Sequence, residues 1–419
     1  MSEESKQNND DALPQPIKEV EPAPDGGLKA WLTILGSFLS IFVQFGLVNS
    51  FGVFQVYYET MFPHLSPSTI SWVGGVQQFI LFGGGLFIGR LFDAYGAHVL
   101  LIPGSILLVL GLMLTSICTE FYQVMLAHGV LFGIGTSLTF HPSSAVPGQW
   151  FHHRRAFAMS FAIAGSGLGG TLWPVALKQM FDTIGFAWAL RVVGFISLVL
   201  LVTANMLIRT RLPRKTPAPL STTFHPFKEA QYTLLALCAA FTFLGLFTPF
   251  FYSTTRAESM SSATITGYTV SLINAGSTIG RLLGGIGDKV GRFNVLVVSA
   301  VLTGTLLLAF WIPAHTLPAI LAFCVMYGFV AGVYIAVVST CVAQISHVSA
   351  IGHRIGLLWA LVGFVTLAGP PINGALIAQY PGEQGYRLAG AFSGAVIILG
   401  AASGLAARLR SHRSLLAVV

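Results

Sequence analysis

Gly89-Arg90-Leu91-Phe92-Asp93-Ala94-Tyr95-Gly96 closes one apolar run, and Gly284-Gly285-Ile286-Gly287-Asp288-Lys289-Val290-Gly291-Arg292 closes another. Asp93 and Asp288 stand 195 residues apart, and Arg155 and Arg354 stand 199 apart. A nearly constant offset between matching features marks a duplicated half-chain. In both loops an acid precedes a glycine that permits a tight turn, Gly96 or Gly291, so the charges can reach neighbouring helices. Outward from these loops the chain is apolar. Of 419 residues, 54% are hydrophobic and 9% charged, with a mean hydropathy of +0.75. Soluble domains carry about 25% charge, which excludes that class here.

Apolar runs near 20 residues match the thickness of a bilayer core and recur through the chain. They predict spans near 28–55, 70–92, 98–118, 121–149, 154–177 and 186–208, then 230–252, 264–287, 293–312, 317–342, 352–380 and 386–407. The longer ones are expected to overrun the hydrocarbon or to bend at Pro142, Pro370 and Pro371. On this assignment the side bearing both tails holds 17 Lys and Arg and the other side 4, with Arg281 inside a span. That bias puts both termini in the cytoplasm and requires an even number of spans, which twelve satisfies.

The expected organisation follows. Residues 1–27 form a disordered, acidic cytoplasmic tail, too polar to offset its ordering entropy, with no basic region ahead of a cleavable apolar stretch. A six-helix bundle over 28–208, a basic Pro-containing cytoplasmic linker over 209–229, a second bundle over 230–407 and a cytoplasmic tail over 408–419 complete it. The fold class is an all-α membrane protein of twelve transmembrane helices in two pseudo-symmetric bundles. The net charge of +7 comes from loop residues that report orientation, so a nucleic-acid partner is not expected. Cys118, Cys238, Cys324 and Cys341 sit in apolar runs without paired spacing, which argues against a disulfide framework or a metal site. No nucleophile elbow, zinc-protease helix or phosphate loop occurs, and Gly165-Ser166-Gly167-Leu168-Gly169-Gly170 lies in an apolar run with no preceding strand. Neither an enzyme nor a cofactor is expected.

The paired Gly-x-x-x-Asp-x-x-Gly loops resemble the signature loop of the major facilitator superfamily. Asp25-Gly26-Gly27-Leu28-Lys29-Ala30-Trp31 resembles the opening motif of its monocarboxylate porter family, with one extra residue before Trp31. Trp150-Phe151-His152-His153-Arg154-Arg155-Ala156-Phe157-Ala158-Met159, followed by Ala164 to Gly170, is similar to that family's fifth-span motif. The likeness covers most of residues 24–410, is nearest to fungal members, and implies the two-bundle major facilitator fold with alternating access.

Arg281 carries the sharpest functional signal. It lies seven residues before Asp288, about 10 Å inside the boundary at ~1.5 Å per residue. An Arg at that depth costs about 2.5–3.5 kcal/mol on insertion scales unless it finds a partner or water. It can pair with an anionic substrate, or it can snorkel or pair with Asp288 or another acid of the bundle. The porter resemblance implies a substrate and coupling role at this position. Asn274, Ser277 and Arg281 share one helix face, while Gly276, Gly280 and Gly284 form a ridge for close helix approach. Proton-coupled porters carry a Lys in the first span and an Asp one turn before this Arg; here those positions read Asn49 and Ser277. Lactate-type proton symport therefore loses its titrating groups, which favours larger acids or neutral molecules.

Asn49, Asn274 and Tyr334 are the further substrate-binding candidates, and His141, beside Pro142, is the coupling candidate. Asp93, Gly96, Asp288, Gly291, Arg292 and Arg155 are the gating candidates; for Arg155 a headgroup anchor is the equal alternative. The ridge Ala158, Ala162, Ser166, Gly170 reads as helix packing. The expectation is a secondary active transporter for a small organic solute, monocarboxylate-like or a related metabolite, with an anionic or a neutral cargo both open, embedded in a lipid bilayer with no obligate protein partner. Export of a fungal secondary metabolite is the alternative, and a non-transporting receptor on the same fold is a weaker one. The plasma membrane is the expected site, with an internal membrane such as the vacuole as the other choice.

Overall fold

The computed structural model describes residues 23–212, 223–380 and 382–411. Among these residues the structure is all helical. The first six spans are α1 (Leu28–Asn49), α2 (Thr69–Tyr95), α3 (His98–Thr115), α4 (Phe121–Trp150), α5 (Arg155–Ile184) and α6 (Phe186–Leu207). The second six are α7 (Ala230–Met260), α8 (Thr269–Leu283), α9 (Arg292–Trp311), α10 (Leu317–Gln344), α11 (Val348–Gln379) and α12 (Glu383–Ser411). All but α8 are long and apolar enough to cross a membrane on their own. At 15 residues α8 is short because Gly284, Gly285 and Gly287 loosen its end into a 3-10 turn, Gly284–Ile286, and a further turn precedes it at Thr264–Tyr268. Phe195, Val199 and Met206 of α6 lie largely exposed on the outer surface, as hydrocarbon-facing side chains do.

Several boundaries differ from those read off the sequence. The first span, expected to run to 55, turns at Ser50, whose hydroxyl donates to the Gly46 carbonyl at 2.8 Å, and a separate helix runs over Phe51–Met61. The expected free tail over 1–27 ends sooner. Asp25 is tied to the α4–α5 loop, its carboxylate accepting from the amides of His152 at 2.6 Å and His153 at 2.8 Å. Residues 1–22 lie outside the described residues. Within the expected linker, Arg209 is held through its carbonyl by the Trp150 indole N–H at 2.7 Å, and a 3-10 turn spans His225–Lys228. Residues 213–222 lie outside the description. Of the expected tail over 408–419, residues to Ser411 continue α12, and 412–419 are not described.

Within the first half α1 packs on α4, α5 and α6, and α3 on α4 and α6; within the second, α7 packs on α11 and α12, and α10 on α8 and α9. The halves meet chiefly along α5 with α8 and α2 with α11, with α10 also against α5 and α4 against α11. Glycines make both joins close. A Cβ on Gly85 would lie 2.3 Å from the Gly356 carbonyl oxygen, one on Gly356 equally close to that of Gly85, and one on Gly89 2.3 Å from that of Gly352. These reciprocal i, i+4 pairs let the α2 and α11 backbones touch. The α8 ridge works inside its own half: Cβ atoms on Gly276 and Gly280 would strike the Val325 and Phe329 carbonyls of α10, whereas Gly284 meets Ser160 of α5.

Candidate functional site

A polar seam runs along the α5–α8 join. The Asn49 side-chain N–H of α1 donates to Asn274 Oδ1 of α8 at 3.4 Å. Gly170 of α5 is the notch that admits them, since a Cβ there would lie 2.8 Å from both Asn49 Nδ2 and Asn274 Oδ1. Two helical turns nearer the tail-bearing end, Arg281 Nη1 donates to Ser166 Oγ of α5. Gly167 leaves space for that guanidinium, 3.1 Å from where its Cβ would stand. Arg281 is 2% exposed, and its Nε has no hydrogen-bond partner. Among the described residues no carboxylate pairs with it, unlike Arg256, Arg292 and Arg354, which each hold one. Asn49, Asn274 and Arg281 thus gather on α5.

Ser166 and Gly170 belong to the ridge that the sequence reads as packing. Packing against α1 is instead the task of Gly165 and Gly169, whose Cβ atoms would meet the Phe38 and Phe42 carbonyls. The overlooked signal is a hydroxyl within a small-residue stripe. Ser277 is buried in the seam with its Oγ unpartnered, and its backbone packs on Gly332 of α10.

Tyr334 is not brought to this seam. Its hydroxyl donates to the Cys238 carbonyl of α7 at 3.3 Å, and its ring lies against Phe243. His141 sits on the other join: its Nε2 is 3.0 Å from the Leu81 carbonyl of α2, its ring edge faces Gly85, and its Nδ1 has no partner.

The gating candidates converge at the tail-bearing end. Gly96 and Gly291 adopt φ of 83° and 98°, the left-handed region that glycine enters without strain. Each aspartate crosses to the opposite half and accepts from a helix's first amides. Asp93 binds the N–H groups of Gly352 at 3.0 Å and His353 at 2.6 Å; Asp288 binds those of Ala156 and Phe157, both at 2.9 Å. The α-helical runs so capped begin at Ile351, after the 3-10 turn Val348–Ala350 that opens α11, and at Arg155; the preceding Ala350 and Arg154 supply no side-chain cap. A carboxylate there satisfies orphan donors and opposes the helix dipole. Arg292 holds Asp288 in place at 2.8 Å and also donates to the His152 carbonyl at 2.9 Å.

Arg155, a cation poorly placed on its own helix's dipole, reaches away to the Ala343 carbonyl at 2.9 Å; Arg354 does the same to Ile345 at 2.9 Å. Both carbonyls lie at the C-terminal end of α10, where positive charge is favourable. Arg354 also pairs with Glu229.

The sequence profile of the Major Facilitator Superfamily matches residues 30–286 and 233–415. The Aspyridones efflux protein of Emericella nidulans is 40% identical over 418 residues, covering 98% of this chain and 84% of that one. The Agnestins efflux protein of Paecilomyces divaricatus is 36% identical, covering 94% and 91%. An MFS-type transporter of Penicillium oxalicum is 36% identical over 98% of both chains. Among solved structures, the human organic anion transporter MFSD10 superposes with a TM-score of 0.68 over 90% of this chain and 98% of that one. At 16% identity this likeness concerns the fold alone. Twelve spans in two joined groups of six among the described residues, the paired aspartate loops and these matches agree: the chain belongs to the major facilitator superfamily, a multi-pass membrane protein of a transporter family that takes small solutes.

Proposed function

We propose that the protein exports an organic metabolite bearing an acidic group, by alternating access of its two halves. The observation that carries this reading is the Arg281 guanidinium, buried at the seam with one hydroxyl partner from the opposite half and no carboxylate. A buried charge without a counter-ion is costly, and an anionic cargo would supply one. The planar fork suits a carboxylate or enolate, and Asn49 and Asn274 offer donors and acceptors two turns away. Export takes precedence over monocarboxylate uptake for two reasons. Two relatives carry efflux in their names, and Asn49 and Ser277 stand where proton-coupled porters carry their titrating pair. The resemblance to the monocarboxylate porter family in the Asp25–Trp31 and Trp150–Met159 stretches is retained as a matter of descent.

The tail-bearing end faces the cytoplasm in this reading, as the basic loops require, and the plasma membrane is the expected site. Asp93, Asp288, Arg292 and Arg155 then latch the cytoplasmic end, and His141 is the candidate for coupling to a proton gradient. The test is tracer flux in proteoliposomes over mono- and dicarboxylates and neutral metabolites, with and without a pH gradient. Arg281→Gln is expected to abolish flux of acids and spare neutral solutes. Acid flux indifferent to Arg281→Gln sinks the reading.

A further inference from the structure

Six aromatic rings meet between the halves. Phe45 (α1), Phe82 (α2) and Phe140 (α4) come from the first half; Phe243 (α7), Tyr334 (α10) and Trp359 (α11) come from the second. Trp359 is the hub. Phe82 stacks on it with centroids 5.0 Å apart and planes 9° apart, while Phe140 and Phe243 present edges at 5.5 Å and 5.3 Å. Phe45 closes on Phe82 at 5.9 Å and Phe140 at 5.7 Å, and Tyr334 on Phe243 at 6.0 Å. The indole N–H donates to Ser339 Oγ of α10 at 3.2 Å, which fixes the ring's orientation. The other parallel stacks among the described residues, Tyr57 with Phe186 and Phe323 with Tyr327, each lie within one half.

This layer adjoins the polar seam. Phe45 and Asn49 are i and i+4 on one face of α1, so the rings lie about 6 Å along the helix from the Asn49–Asn274 bond, toward the tail-bearing end. Arg281 lies about 10 Å from Asn274 in the same direction along α8, at a neighbouring depth. On α10, Gly332 packs on Ser277 of the seam, and Tyr334 two residues later enters the ring layer. When the halves part, the Phe82–Trp359 stack is divided between them, leaving a flat, oriented apolar face at about the depth of the Arg281 guanidinium. A cargo site built of apolar surface with a few fixed polar groups has this composition.

Resting on the export reading above, we propose that Trp359 and Phe82 form the apolar end of the cargo site. The cargo is a planar conjugated ring system carrying an acidic oxygen. Its ring replaces Phe82 against the Trp359 face, while Arg281 holds the acid.

Two probes of equal charge test this, 2-naphthoate and cyclohexanecarboxylate, with binding followed by scintillation proximity and flux in proteoliposomes of the full chain. Trp359→Leu is expected to weaken 2-naphthoate about tenfold and change cyclohexanecarboxylate less than about twofold. Trp359→Phe, which keeps a ring, is expected to restore most of the 2-naphthoate affinity. Arg281→Gln weakens both acids. The proposal is overturned if Trp359→Leu weakens both acids equally, which marks a packing residue, or if Trp359→Phe binds the two acids without preference. Failure of the export reading is a separate result, in which both acids are indifferent to Arg281→Gln whatever Trp359 does.

Discussion

Asp93 caps the helix that begins beside Gly352, in the other half of the molecule, and 195 residues later Asp288 returns the favour to the helix that begins at Arg155. Both helices start at residues unsuited to capping themselves, so their first amides are satisfied when the halves are together at this end. The contact is thus conditional on conformation.

Removing one cap weakens that closed end. Asp93→Ala or Asp288→Ala is expected to cost about 0.5–2 kcal/mol, the range for loss of an N-cap, and the two are expected to add nearly independently. Spin-label distances between the tips of α2 and α11 will show a larger separated population in each variant, and more in the double. Unchanged distances would make the aspartates mere loop charges.

Glycine substitutions separate contacts between halves from contacts within one. Gly89→Ala places a Cβ against the Gly352 carbonyl, and overpacking of this kind costs about 1–3 kcal/mol. Parting the halves relieves that clash, so the variant should fold, open at the tail-bearing end and lose transport. Gly280→Ala meets the Phe329 carbonyl inside one half, where no such relief exists, and should lower thermal stability instead. Thermal melts and cysteine accessibility at the α2–α11 tips tell the two apart.

In the seam, Gly170→Ala is expected to push Asn49 and Asn274 apart and cut flux about tenfold or more with little change in melting temperature. Ser166→Ala removes the hydroxyl partner of Arg281, a loss of about 1–3 kcal/mol for a buried donor in the closed state. A Gly170→Ala variant transporting at the wild-type rate would remove the seam from the cargo path.

Asp25 gives a pH dependence. Burial works to raise its carboxyl, but the amides of His152, His153 and Arg154 outweigh this and hold it below the usual carboxylate range. A lowered folded-state value stabilises the contact fully above the unfolded value near 3.9 and loses it as pH falls through the folded one. Protease cleavage near residue 25 should therefore stay slow from pH 7 down to about 4 and quicken below. Asp25→Ala should be cut rapidly throughout, because Ala also resists the φ of 50° that Asp25 adopts.

Much of this architecture is legible in the residues. The repeated Asp93 and Asp288 loops, the basic bias and the apolar runs give twelve spans in two halves, and the α8 spacing brings Asn274 and Arg281 to one seam. What the aspartates bind is not legible, because a backbone amide at a helix start carries no side-chain signature. Trp359 is equally silent: an aromatic residue in an apolar span reads as core until its partners from the opposite half are known. Gly85, Gly89, Gly352 and Gly356 are glycines among 46, and only the crossing of α2 with α11 singles them out. The surroundings of Tyr334 are hidden for a related reason, since belonging to α10 does not fix which neighbour its ring meets.

The reciprocal caps have an ancestral reading. A contact in which each half gives its carboxylate to the other's helix is isologous, the kind that a two-fold pair of identical chains forms spontaneously. A six-helix precursor holding both the acid loop and the uncapped helix could close as a homodimer before any fusion joined the copies. The linker then had only to tether partners that already recognised each other.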